Sequence, residues 1–195
     1  ADRILDVPRA VGEDVLGCAG DDGVRTRGFR AALGDIDGRL AVLAHDNPDP
    51  DAIASAVGLR RLAAAFDLRN LEEGADLSSF GAVALVDHSR PSVNDGLPPE
   101  TPIDIVVDHH PPRTPVNAGF VDLRSDVGAT CTILVEYFDR FGIEPTESLA
   151  SGLLYGIRTD TQDFCRGVSP VDFEAAAGLV EAADSDRLRQ VESPS

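Results

Sequence analysis

The sequence predicts an α/β fold: a doubly wound, mostly parallel sheet with helices on both faces. A short continuous apolar run at Leu40–Ala44, a second at Ala82–Val86, and the stretch Ile103–Val107, broken only by Asp104, read as buried strands. Longer stretches with apolar residues at helical spacing alternate with them. Each run leads into a polar residue, His45, Asp87 or Asp108, at the carboxyl edge where such sheets bind ligands.

In chain order, residues 1–38 read as an N-terminal extension or linker, with a short helix over Asp6–Cys18 and a turn at Gly20–Gly23. The first strand passes through the polar loop His45–Asp51 into a helix over Ala52–Phe66, where Ile53, Ala56, Val57, Leu59, Leu62 and Ala63 share helical spacing. Asp67–Phe80 is a polar connection with one short strand near Leu68–Leu71. Pro91, Gly96, Pro98 and Pro99 mark the loop between the second and third strands. Helices follow over Val127–Phe141, stopped by Gly142, and over Glu147–Ile157. A last helix spans Pro170–Ala183, with Ser169 as N-cap and proline at its first position. One domain is expected over 39–185, and the start of a linker to a further domain over 186–195.

The 195 residues suffice for one well-filled domain, and the low aromatic content of 5% makes its core aliphatic. Net charge is −17, and all 17 basic residues are arginine. That excludes a basic nucleic-acid footprint, so duplex DNA is not an expected partner. An acidic chain without lysine fits a halophilic prokaryote, in which high internal salt screens the self-repulsion. Three cysteines without a CxxC pair argue against a disulfide framework or a zinc site, which makes the cytoplasm the default location. No apolar run reaches membrane-spanning length, and no signal-peptide pattern opens the chain. With no methionine even at position 1, the chain is expected to be a fragment of a longer protein.

Four polar clusters carry the chemistry. His45, Asp49 and Asp51 follow the first strand in a loop stiffened by Pro48 and Pro50. One imidazole and two carboxylates suit a divalent ion such as manganese, magnesium or iron, although Asp51 could equally cap the next helix. Asp87 closes the second strand, where a ligand and an ordinary turn look alike. Asp108-His109-His110 closes the third. Neighbouring side chains diverge in an extended segment, so one histidine can bind metal while the other faces substrate, unless both are surface residues. Gly156-Ile157-Arg158-Thr159-Asp160-Thr161 follows an apolar helix and is either a ligand segment or a plain C-terminal turn. Together the clusters offer enough imidazoles and carboxylates for two ions sharing a carboxylate.

The ordered set His45-x3-Asp49-x-Asp51-Ala52, Asp87, Asp108-His109-His110 and Gly156–Thr161 resembles the DHH phosphoesterase superfamily, over roughly residues 40–183. That group includes single-strand exonucleases, oligoribonuclease/pAp phosphatases, cyclic-dinucleotide phosphodiesterases, exopolyphosphatases and manganese-dependent pyrophosphatases. The resemblance implies two divalent ions, manganese first and magnesium as the alternative. His45, Asp49 and Asp87 would hold one, and Asp51, Asp87, His109 and Asp160 the other. It also implies that His110 contacts the scissile phosphate, that Asp108 orients the histidines, that Arg158 is a further phosphate contact, and that a metal-activated water attacks phosphorus.

Three departures stand out. The family's usual second, Gly-rich substrate domain is expected to follow this chain rather than to lie within it; Asp67–Phe80 is short; and Ala54 occupies a position usually held by glycine. The stretches His88–Pro91, Gly128–Thr130 and Arg158–Thr161 look most like the oligoribonuclease/pAp phosphatase branch. The implied substrate is a short oligonucleotide or nucleotide phosphate, with a homodimer compatible. The alternatives are an inorganic pyrophosphatase or exopolyphosphatase, and a regulatory module that binds a nucleotide without cleaving it.

Overall fold

Strands β1 (Leu40–Leu43), β2 (Ala82–Val86), β3 (Ile105–Asp108) and β4 (Phe120–Leu123) form one parallel sheet in that order in a computed structural model. The structure describes residues 22–65, 80–91 and 96–192. The expected helix over Asp6–Cys18 and the strand near Leu68–Leu71 lie outside these residues. Register is set by pairs such as Leu40 with Ala82, Ala84 with Ile105, and Ile105 with Phe120. Alternation then splits the side chains. Leu40, Ala84, Val86, Ile105 and Val107 enter a large core with the helices. Ala41, Val83, Leu85 and Val106 face the other side, where Leu97, Ile103, Val116 and Ala118 cover them. Among the described residues, the helical contribution to the core lies on the first of these faces.

The helices are α1 (Asp22–Gly34), α2 (Pro50–Ala64), α3 (Thr130–Phe141), α4 (Glu147–Asp160), α5 (Pro170–Val180) and α6 (Ser185–Glu192). None of them is long and apolar enough to cross a membrane. Three starts and one stop follow from local chemistry. Asp49 caps α2, its Oδ1 accepting from Ala52 N at 2.9 Å, with Pro50 at the first helical position. The cap is therefore Asp49, and Asp51 sits inside the first turn. Thr146 caps α4, and a Ser169/Asp172 capping box starts α5. Gly142, at φ 63°, ends α3 in the left-handed conformation.

Four features differ from the sequence expectation. Asp22 and Gly23, expected in a turn, begin α1, whose Phe29 and Leu33 are fully buried; the Phe29 ring packs tilted against Tyr137, with centroids 4.1 Å apart. Three glycines and three arginines in this helix hide its apolar face. α6 occupies the expected linker, its approach fixed by Asp184 N donating to Ser151 Oγ at 2.8 Å. α4 continues to Asp160, which places the Arg-Thr-Asp motif in its last turn. β4 is unforeseen because Asp122 interrupts a four-residue strand. Its carboxylate is only 2% exposed and accepts from Arg124 Nε (2.9 Å), Arg124 Nη2 (2.8 Å) and Tyr137 OH (2.6 Å). Arg124 also pairs with Glu136. A buried charge with this many partners is tolerated in a strand that would otherwise reject it.

Candidate metal centre

The carboxyl ends of β1, β2 and β3 and the last turn of α4 bring His45, Asp49, Asp51, Asp87, Asp108, His109, His110 and Asp160 to one rim. Three clusters there each offer one ligand atom per residue, all within 4.8 Å of one another: His45/Asp49/Asp87, Asp51/His109/Asp160 and Asp87/His109/His110. Asp87 lies between the first two. Its Oδ2 is 3.6 Å from His45 Nε2, and its Oδ1 is 3.6 Å from His109 Nε2. One carboxylate thus turns its two oxygens to different histidines. The chain reaches this arrangement by holding Asp87 at φ 62°, a conformation that costs a non-glycine residue roughly 1 kcal/mol.

Backbone and hydroxyl donors fix the carboxylates. Asp51 is fully buried, and its oxygens accept from Thr130 N (2.7 Å) and Cys131 N (2.8 Å). These are N–H groups that the start of α3 would otherwise leave unpaired. Thr130 Oγ1 donates to Asp87 Oδ1 at 2.9 Å and accepts from His109 N at 3.2 Å. Asp172, also fully buried, secures the approach to α3 by accepting from Gly128 N and from Thr132 Oγ1. Asp108 Oδ1 accepts from His110 N (3.0 Å) and meets His110 Nδ1 at 2.9 Å. Of the two histidines, Asp108 therefore orients His110.

The protein alone does not balance this charge. Burial, and then the neighbouring Asp51 carboxylate, push Asp87 up to about 8. Burial also raises Asp51 against its hydrogen bonds. Burial opposes a charged His109, but Asp160, Asp51 and Asp87 hold its imidazole up at about 9. The buried His109 Nε2 lies 2.9 Å from Asp160 Oδ2, yet makes no aligned hydrogen bond to any described residue. A buried imidazole nitrogen this close to carboxylate oxygens, kept protonated by them in the metal-free fold, is where a coordinated cation would sit. Imidazole and carboxylate donors fit manganese or magnesium, and a divalent charge would reverse the upward shifts.

Arg158 stands apart. Its Nε and Nη2 lie 2.9 and 2.7 Å from Asp163 Oδ1, and it borders a separate hollow with Tyr155 and Gln162. The expected phosphate contact is thus held by a neighbouring carboxylate, which a left-handed run at Gln162, Asp163 and Phe164 turns back toward it. Thr130 and Asp172 were not among the expected site residues. The Gly128-Ala129-Thr130 stretch was legible as a family feature, but nothing in it announced a hydroxyl on Asp87. A cleft of about 390 Å³ opens beside His45, Asp49, Asp87 and His110, and Arg90 and Arg113 also line it.

Comparison with known proteins gives the same frame. The model of the DHH family, N-terminal domain, matches residues 39–157. An uncharacterized protein of Methanocaldococcus jannaschii is 39% identical, aligned over 80% of this chain and 37% of its own length. A probable manganese-dependent inorganic pyrophosphatase of Lactobacillus helveticus is 32% identical, over 62% of this chain and 47% of its own. The bifunctional oligoribonuclease and PAP phosphatase of Thermus thermophilus is 30% identical, over 66% and 45%. This chain spans less than half the length of each. The crystal structure of an exopolyphosphatase-related protein from Bacteroides fragilis shares the fold, with a TM-score of 0.70 at 16% identity, over 89% of this chain and 62% of that one.

Two outcomes are expected. Without metal, folded Asp87 and His109 hold their protons to higher pH than their ordinary values of 3.8 and 6.5. The stability they contribute is present at low pH and lost as pH rises through about 8 and 9. In chelator the Tm should fall from about pH 5 to about pH 9, and less steeply in Asp87→Asn. A wild-type Tm that stays level or rises would contradict this. Separately, a Cβ at Gly156 would lie 2.7 Å from Cys131 Sγ and 3.1 Å from Asp51 Cα. Gly156→Ala should therefore displace Asp51 and weaken manganese binding roughly tenfold or more in calorimetry; unchanged affinity would contradict it.

Proposed function

This chain belongs to the DHH family, and from that premise we propose that it is a metal-dependent phosphoesterase domain acting on short oligonucleotides or nucleotide phosphates. The observation that carries the reading is Asp87, with one oxygen toward His45 and the other toward His109. His45, Asp49 and Asp87 would hold one divalent ion, and Asp51, Asp87, His109 and Asp160 a second. Manganese is the first candidate. When bound, such a pair acidifies a water and offsets the negative charge that gathers on phosphate in the transition state.

The chain's own groups do the rest. Thr130 and Cys131 hold Asp51 still. Asp108 takes the Nδ1 side of His110 and raises its affinity for a proton. This leaves Nε2 of a half-exposed ring to donate to a phosphate oxygen. Arg158 has no part in this reading, because Asp163 engages it. The pyrophosphatase relative supports a second reading, hydrolysis of inorganic pyrophosphate.

The full-length gene product, loaded with manganese, should release mononucleotides from a short RNA. Asp87→Ala should lower kcat/KM by roughly a thousandfold, about 4 kcal/mol of transition-state stabilisation. Activity confined to pyrophosphate would favour the second reading. Nucleotide binding without turnover, unaffected by Asp87→Ala, would contradict both and leave a binding module.

A further inference from the structure

We propose that Arg90 and Arg113 form an anion subsite on the His45–Asp49 side of the cleft and hold a second phosphate group of the substrate, next to the one that is cleaved. This rests on the phosphoesterase reading of the same cleft and narrows it to substrates that carry two phosphoryl groups in close succession.

Arginines are scarce here, 17 basic against 34 acidic residues, and acids claim several of them. Arg124 pairs with Asp122 and Glu136, Arg158 with Asp163, Arg187 with Asp184, and Arg189 with Asp186. Among the described residues, neither Arg90 nor Arg113 is paired with a carboxylate. Among the described residues, their one hydrogen bond is Arg90 Nη1 donating to Thr114 Oγ1 at 3.1 Å. A guanidinium has five N–H donors, so most of those on Arg90 remain for a ligand.

Placement makes this more than two solvated side chains. Arg90 stands three residues after Asp87 and Arg113 three residues after His110, on the loops that leave adjacent parallel strands. The Arg90–Thr114 bond ties those loops together. Both arginines line the cleft that also contains His45, Asp49, Asp87 and His110. Asp51 and Asp160 do not line it. A substrate whose scissile phosphate meets His110 would therefore extend over the His45 side. Its own ions would offset the site's carboxylates, which leaves the guanidiniums for substrate charge, and phosphate matches their planar donor geometry. The second phosphate could belong to a bisphosphate or pyrophosphate unit, or to the next linkage of an oligonucleotide.

Calorimetry on the manganese-loaded full-length gene product tests this with three non-hydrolysable probes. They are methylphosphonate with one phosphoryl group, methylenebisphosphonate with two, and a 5′-phosphorylated dinucleotide with a phosphorothioate link. The Arg90→Gln/Arg113→Gln double variant should lose about tenfold or more in affinity for one or both two-phosphoryl probes. Methylphosphonate affinity should stay within about twofold and manganese uptake should be unchanged. Which two-phosphoryl probe is weakened identifies the source of the second phosphate. Equal losses for all three probes, or no loss for any, would overturn the proposal while leaving the phosphoesterase reading intact. Absence of manganese uptake by the wild type would overturn both.

Discussion

Asp51 is fully buried where α2 begins, and its two oxygens close onto the first main-chain N–H groups of α3. Much of the site depends on this clamp. It fixes the crossing of α2 and α3 beneath the sheet edge and sets Thr130 where its hydroxyl reaches Asp87. Gly156 admits α4 within van der Waals distance of the same carboxylate, and α4 carries Asp160 in its last turn. Asp172 braces the segment from the far side. A residue four positions from the end of one helix is thereby placed against the start of another by backbone hydrogen bonds and one missing methyl group.

The cost of this arrangement is electrostatic. Burial leaves Asp51 and Asp87 reluctant to ionise, with the Asp51 charge adding to the effect at Asp87, while the surrounding carboxylates hold a proton on His109. The metal-free fold therefore keeps protons where cations would sit. Divalent ions would displace those protons, which couples metal binding to pH and to stability. The positive φ of Asp87 belongs to the same arrangement: local strain is retained because it points two oxygens in useful directions.

Much of this was legible in the chain. β1, β2 and β3 showed as apolar runs, because strands covered on both faces have no polar side to alternate with the apolar one. The ligand candidates showed because they follow those runs directly. β4 did not, since its Asp122 is compatible with a strand only through Arg124 and Tyr137, which lie in other segments. α1 did not, because glycine and arginine mask its two buried residues, Phe29 and Leu33. Spacing alone could not tell whether Asp49 or Asp51 caps α2, as each is a carboxylate beside a proline. The ion pair between Arg158 and Asp163 could not be read from the sequence, because the turn after α4 creates it. The importance of Thr130, Arg90 and Arg113 depends on loops that meet only in three dimensions.

The central claim is that Asp87 joins two ion positions into one centre. Electron paramagnetic resonance during manganese titration of the metal-free protein tests it most directly. Two ions per chain are expected and, at full loading, the broadened spectrum of exchange-coupled manganese ions a few Å apart, roughly 3.5–4 Å in centres of this type. Saturation at one ion per chain, or two ions that keep the six-line signal of isolated manganese, would contradict it.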